Sequence, residues 1–272
     1  MSTVTAAGAY VHVVERGEGE PVVFLHGNPD FGDVWAPVIS RLAGRYRCLA
    51  PDLPGFGRSA PLGTSDIAQY DLSRFDFSLA GLSRFVAELL DALDLREPVA
   101  LVGHDFGGIF ACAFAAEHGD RLRRLALMNT AFQPDFRWHF WARVWRTPLL
   151  GELSMALQNR AAFVRELRRG SKGLPVKYAE RAYAMFTPQV RRTVLRLYRA
   201  TPASAFRGWD ERLLATTGRV PTLVVWGDLD PYVEVGRAER FGGRVHHLPD
   251  TGHWPMVERP DEVARLLGEF LT

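Results

Sequence analysis

Asp105, His253 and one of Asp228 or Asp230 are the residues of this chain whose types and order could make a covalent catalyst. Asp105 is the centre of the run Gly103, His104, Asp105, Phe106 and Gly107. The apolar residues 99–102 before it read as a buried strand, and residues 109–115 after it read as a helix. A strand that turns sharply into a helix between glycines is a nucleophile elbow, a turn too tight for side chains at its flanks. Serine is usual at the centre; here the centre is a carboxylate. A carboxylate is already ionised at neutral pH, so it attacks without a general base. On an sp3 carbon it displaces an alkoxide or a halide and leaves an alkyl ester. His253 can then activate water against the ester carbonyl, with an acid holding the imidazole and stabilising the imidazolium. Backbone N–H groups of Phe106 and Asn28 are placed to receive the tetrahedral oxyanion.

These groups need a scaffold, and the pattern of the chain predicts one. Residues 11–15, 22–25, 46–50, 99–102, 125–129, 222–226 and 244–248 read as strands. Residues 33–42, 79–93 and 261–271 read as helices, the last starting at Pro260. Strands alternating with helices imply a parallel sheet covered on both faces, with functional groups at the carboxyl ends of its strands. Asn28, Asp105, Asp230 and His253 each follow a predicted strand. From Ala131 the strand signal vanishes for about seventy residues. Trp138, Trp141 and Trp145 there share one helical face, and 189–198 reads as a further helix. The expectation is a core of residues 1–131 and 209–272 with a helical cap at 132–208.

The order nucleophile, acid, histidine, together with His26-Gly27-Asn28-Pro29, the Gly-rich loop 52–59, the elbow, Gly227-Asp228-Leu229-Asp230-Pro231 and Gly252-His253, resembles the α/β-hydrolase superfamily over nearly the whole chain. An aspartate at the elbow is similar to the epoxide hydrolase and haloalkane dehalogenase branch. The resemblance implies the α/β-hydrolase fold, Asp230 as the acid, and no cofactor. Epoxide hydrolases of this branch protonate the leaving oxygen with phenols from the cap. Tyr198, followed by Arg199, resembles that segment; Tyr178 is the candidate second phenol, and Trp138, Trp141 and Tyr183 are candidate pocket residues. Dehalogenases hold halide with an indole N–H beside the nucleophile and with either the Asn at the position of Asn28 or a second Trp. Phe106 stands where that first indole belongs, and a phenyl ring has no N–H to give. Trp138, Trp141 or Trp145 could substitute, although a stripe at helical spacing commonly serves packing. The sequence therefore favours hydrolysis of an epoxide to a diol. Halide release is the alternative, and a lyase acting on a β-lactone or a non-catalytic ligand-binding protein are further ones. His104 and His26 read as braces for their loops, and His246 and His247 as structural or exposed.

Composition narrows the classes further. The 272 residues are 47% hydrophobic and 24% charged, enough for one large core with an insertion. No transmembrane run and no signal-peptide pattern is visible, so a cytoplasmic location is expected. Cys48 and Cys112 sit in apolar runs and read as free thiols. No zinc spacing, phosphate loop or nucleic-acid motif is present, so neither a metal nor a nucleic-acid or membrane partner is implied. Net charge is +2, but residues 132–208 hold 15 Lys and Arg against 4 Asp and Glu. That basic excess reads as a solvated face of the cap. The aromatic cap points to a small apolar or aromatic substrate. Oligomeric state is not legible.

Overall fold

The computed structural model describes residues 2–59, 72–73 and 75–272. Its centre is one eight-stranded sheet: β1 (Ser2–Ala6), β2 (Ala9–Arg16), β3 (Glu20–Leu25), β4 (Tyr46–Pro51), β5 (Val99–His104), β6 (Leu122–Met128), β7 (Thr222–Gly227) and β8 (Arg244–Leu248). The spatial order is β1-β2-β4-β3-β5-β6-β7-β8. Only the β1–β2 and β2–β4 pairings are antiparallel; the rest are parallel. Strands β5 and β7 are buried along their full length, as parallel strands covered on both faces must be. This explains their continuous apolar runs. Strand β1 was not expected. It is short, carries only Val4 and Ala6 as apolar residues and is a mostly exposed edge, stitched to β2 through an Ala7-Gly8 turn.

Helices α1 (Ala36–Leu42), α2 (Leu79–Ala92) and α3 (Phe106–His118) pack on the sheet, α1 against β4, α2 against β1 and α3 against β5. Five helices, α4 (Phe140–Arg146), α5 (Leu150–Leu157), α6 (Arg160–Gly170), α7 (Val176–Met185) and α8 (Pro188–Ala200), lie between β6 and β7. They are followed by α9 (Trp209–Thr217), which packs on α3. Helices α10 (Pro255–Glu258) and α11 (Pro260–Leu271) close the chain. Helix α3 shows why its sequence has no amphipathic stripe: it is buried from Phe106 to Ala115 between β5, α2 and α9. One expectation fails in the α4 region. Trp138 precedes α4, so the three tryptophans do not share one helix. His139 is the N-cap, its side chain accepting from the Ala142 N–H, so the helix begins only after Trp138. Cys48 and Cys112 are buried and unpaired. Among the described residues no helix is long and apolar enough to cross a membrane.

Candidate active site

The turn from β5 into α3 gives Asp105 a backbone conformation of φ 49°, ψ −121°. For a non-glycine residue this conformation costs on the order of 1–3 kcal/mol, and the surroundings must hold it. The Asp105 N–H donates to the Met128 carbonyl at 3.2 Å, and its carbonyl accepts from the Ile109 N–H at 3.1 Å and the Thr130 hydroxyl at 2.7 Å. Gly107 is required by close approach: a Cβ there would lie 2.2 Å from the Leu25 carbonyl oxygen. The strain lifts the Asp105 side chain off the sheet, at the carboxyl end of the central strand.

The groups predicted to surround Asp105 converge on it. The Asn28 N–H donates to Asp105 Oδ1 at 2.7 Å. His253 Nε2 lies 3.6 Å from Oδ2, and His253 Nδ1 is 2.7 Å from Asp230 Oδ2. Phe106 is the first residue of α3, where helix geometry leaves N–H groups free of intrahelical partners. Burial opposes the charge on Asp105, but His253 and the Asn28 N–H outweigh it and hold the carboxyl below its usual range. Burial likewise opposes a charged His253; the Asp230 and Asp105 carboxylates override it and lift the imidazole to about 10. Asp228, the other acid after β7, is not near His253. It pairs with His247 at 2.7 Å, and His247 also meets Glu239 at 2.9 Å.

Asp230 is held by a cradle. Its Oδ1 accepts from the Tyr232 N–H at 2.7 Å and the Val233 N–H at 3.2 Å. Its Oδ2 accepts from Asn129 Nδ2 at 2.9 Å. Asn129 also clamps Gly227 through both its amide atoms. Asn129 escaped the sequence reading, although a polar residue at the carboxyl end of β6 fits the rule that found the others. The histidine loop is tied to the inserted helices: the His253 N–H donates to Gly170 O, and the Trp254 N–H to Ser171 Oγ. His104 and His26 support loops, as expected. His104 Nε2 meets the His253 carbonyl at 2.7 Å and burial drops its pKa to about 3, so it is a neutral donor. His26 Nε2 accepts from the Leu53 N–H at 2.8 Å.

Over Asp105 lies a cavity between the sheet and α4, α6 and α8. Trp141, Trp145, Phe163, Leu167 and Phe186 give it apolar walls, and Asn28, His139, Tyr198 and Tyr232 bring polar atoms. Tyr198 is buried, with its hydroxyl 3.3 Å from His139 Nε2. The other phenols are engaged differently. Tyr178 donates to the Asp30 carboxylate, which also accepts from Trp254 Nε1, so it does not line the cavity. Tyr183 packs on Phe163 outside it. Trp138 stacks on Phe106 behind the wall, at 5.9 Å and 15° between planes. Tyr232 lines the cavity from the loop after β7, outside residues 132–208, and its hydroxyl donates to Glu166. His139 and Asp30 stand in no motif, and only their three-dimensional partners reveal them. Among the described residues no group of three or more His, Cys, Asp and Glu could hold a metal ion.

Residues 20–260 match the alpha/beta hydrolase fold family. The chain belongs to that family, and it is a hydrolase-fold enzyme. Its relatives carry several activities. It is 30% identical to a cis-3-alkyl-4-alkyloxetan-2-one decarboxylase of Shewanella oneidensis, over 97% of this chain and 86% of the relative. It is also 30% identical to haloalkane dehalogenase 2 of Mycobacterium tuberculosis, over 95% of this chain and 90% of that protein. With epoxide hydrolase 3 of Xenopus tropicalis it shares 27% identity, over 97% of this chain and 75% of that protein.

Proposed function

We propose that this enzyme opens an epoxide to a diol through an ester on Asp105, with His253 and Asp230 completing the catalytic triad. One observation carries the choice of leaving group: the Tyr198 hydroxyl is buried in the cavity that contains Asp105, while the residue beside the nucleophile is Phe106. Asp105 attacks the sp3 ring carbon, the C–O bond breaks, and the ring oxygen takes the bond's electron pair and the Tyr198 proton. His253 Nε2 then takes a proton from water, and the hydroxide adds to the ester carbonyl. The oxyanion is received by the N–H groups of Asn28 and Phe106. Collapse expels the diol as its alkoxide, which is protonated from the imidazolium. The proton left by the regenerated carboxylate returns Tyr198 to the phenol. The helices of residues 132–208 act as the cap, and their aromatic walls fit a small apolar or aromatic epoxide.

Halide release is the second reading. It is favoured by Trp145 Nε1, which is buried in a cavity-lining residue without a hydrogen-bond partner among the described residues, and by the side chain of Asn28 in the same cavity. The relative named for oxetanone decarboxylation supports a third electrophile, a four-membered lactone. Attack on its ring carbon would release a carboxylate; loss of CO2 would form the alkene and return the ester electrons to Asp105, with no water consumed.

Mass spectrometry of His253→Gln with each substrate class separates these readings. An Asp105 adduct that accumulates from an epoxide and carries its full mass supports the first. An adduct formed only from a haloalkane supports the second. Alkene release undiminished by the substitution supports the third. Single turnovers in 18O-water should place label in Asp105; label confined to product would refute an ester hydrolysed at its carbonyl.

A further inference from the structure

We propose that His139 is a positioning residue that turns the Tyr198 hydroxyl into a donor aimed at the substrate oxygen; this rests on the epoxide reading above. The argument starts from the backbone. The Ala142 N–H can only donate, and it points at His139 Nδ1, 3.3 Å away. Nδ1 therefore carries no proton, and the proton of the neutral ring is on Nε2. A charged ring would place a second N–H against that of Ala142 and break the cap of α4. Burial agrees, holding the imidazole down at about 4. Nε2–H faces the Tyr198 oxygen at 3.3 Å, so the phenol oxygen accepts there. With that lone pair engaged, the phenol's own hydrogen is left to turn toward the cavity that holds Asp105.

The same bond matters more as the reaction proceeds. When Tyr198 gives up its proton, the oxygen beside Nε2–H becomes a phenolate, and a hydrogen bond to a charged acceptor is stronger than one to a neutral phenol. His139 thus stabilises the ring-opening transition state more than the ground state. It gives nothing to the second step, where His253 is the base. The side chain of Asn28 also lies against the Tyr198 hydroxyl. Ring contacts hold the geometry: Tyr198 meets Trp145 at 5.1 Å and Phe106 at 4.7 Å, and His139 meets Tyr232 at 5.0 Å.

Two substitutions divide the two jobs of the ring. His139→Asn keeps an acceptor near Nδ1 for the helix cap and removes the donor to Tyr198. His139→Gln extends an amide N–H toward the place of Nε2 and loses the cap. In stopped-flow single turnovers with styrene oxide, His139→Asn should slow formation of the Asp105 ester by about tenfold, as expected for a lost hydrogen bond, and leave ester hydrolysis unchanged. His139→Gln should stay within about threefold of the wild type in ester formation and melt at a lower temperature. Ester formation as fast in His139→Asn as in the wild type overturns the inference, as does equal slowing of both steps in both variants. A readout without turnover is 15N NMR of the imidazole. An Nε2–H tautomer whose proton resonance moves in Tyr198→Phe is expected; an Nδ1–H tautomer overturns the inference. If Tyr198→Phe opens epoxides at the wild-type rate, Tyr198 is not the acid and the inference is overturned; if the wild type forms no ester from any epoxide while the Nε2–H tautomer stands, the epoxide reading falls and the hydrogen bond does not.

Discussion

His253 meets two carboxylates in the free enzyme, and the proposed chemistry removes one of them. Esterification of Asp105 turns its anion into a neutral carbonyl 3.6 Å or so from His253 Nε2, while Asp230 stays charged at 2.7 Å from Nδ1. At that separation, and an effective dielectric of about 20, two unit charges attract by about 4.6 kcal/mol. At about 1.36 kcal/mol per pH unit this is about three units. The imidazole, lifted to about 10 with both anions present, should therefore fall to about 7 in the ester. The sign is the useful one. His253 rests as a cation beside Asp105 before attack and becomes a competent base when a base is needed, since general-base efficiency peaks for a pKa near the working pH. Asp105→Asn imitates the neutral ester in shape and charge. NMR titration of His253 should give a value near 10 in the wild type and near 7 in Asp105→Asn. Single-turnover ester hydrolysis should rise with pH to a plateau above about 7. If His253 still titrates near 10 in Asp105→Asn, Asp230 alone sets its charge, and this account of how the base is released is refuted.

Three further perturbations follow from the same geometry. A Cβ on Gly27 would lie 2.4 Å from Asp105 Cβ and 2.5 Å from its Oδ1, so Gly27→Ala should displace the carboxylate and lower ester formation by at least about a hundredfold; near-wild-type rates in rapid-quench assays would contradict the placement of Asp105. Asn129→Ala leaves Asp230 Oδ2 short of one donor and the Gly227 N–H without its acceptor; urea unfolding should show a loss of about 1–3 kcal/mol, with slower ester hydrolysis. Asp30, buried on Tyr178 and Trp254, has its pKa raised by burial to about 6 from 3.8. A raised acid binds its proton more tightly in the folded state, so its contribution is fully present below the unfolded value and is lost as pH rises through about 6. That amounts to about 3 kcal/mol, and the difference in unfolding free energy between the wild type and Asp30→Asn should change by this order between pH 4 and pH 7.

Those residues also show how much of the site the sequence carries. Asp105 and Asp230 were legible because each follows an apolar strand, and His253 because it follows the last strand; the carboxyl ends of parallel strands are where such a sheet presents polar groups to a ligand. The choice of Asp230 over Asp228 came from resemblance, and its physical cause is now visible: the backbone turn after β7 gives Asp230 two N–H donors from Tyr232 and Val233, while Asp228 faces His247 at the sheet edge. The region between β6 and β7 was far less legible. Helical periodicity says which residues share a face, not which partner that face meets. Tyr198 stood first as a cap phenol through its resemblance and Tyr178 second, and only the fold shows that one meets His139 and the other Asp30.

Phe106 shows the limit most clearly, because its meaning changes between the two levels. As a letter it is a loss, a ring without an N–H where a halide donor would stand. In the fold it is a surface. Its ring lies stacked on Trp138 at 5.9 Å and edge-on to Tyr198 at 4.7 Å, and Trp138 in turn meets Tyr198 at 5.1 Å. Aromatic pairs in such arrangements add about 0.5–1.5 kcal/mol each beyond burial. Two of these contacts fall on Tyr198, and the third braces the pair of rings that make them. In the proposed reaction the residue after the nucleophile thus gives up donating to the leaving group and instead holds in place the side chain that would. A Phe106→Trp substitution therefore does more than restore an indole N–H: its larger ring must displace Trp138 or Tyr198. Epoxide opening should fall even where halide release rises, and a variant that gains halide release with epoxide opening intact would separate Phe106 from the placement of Tyr198.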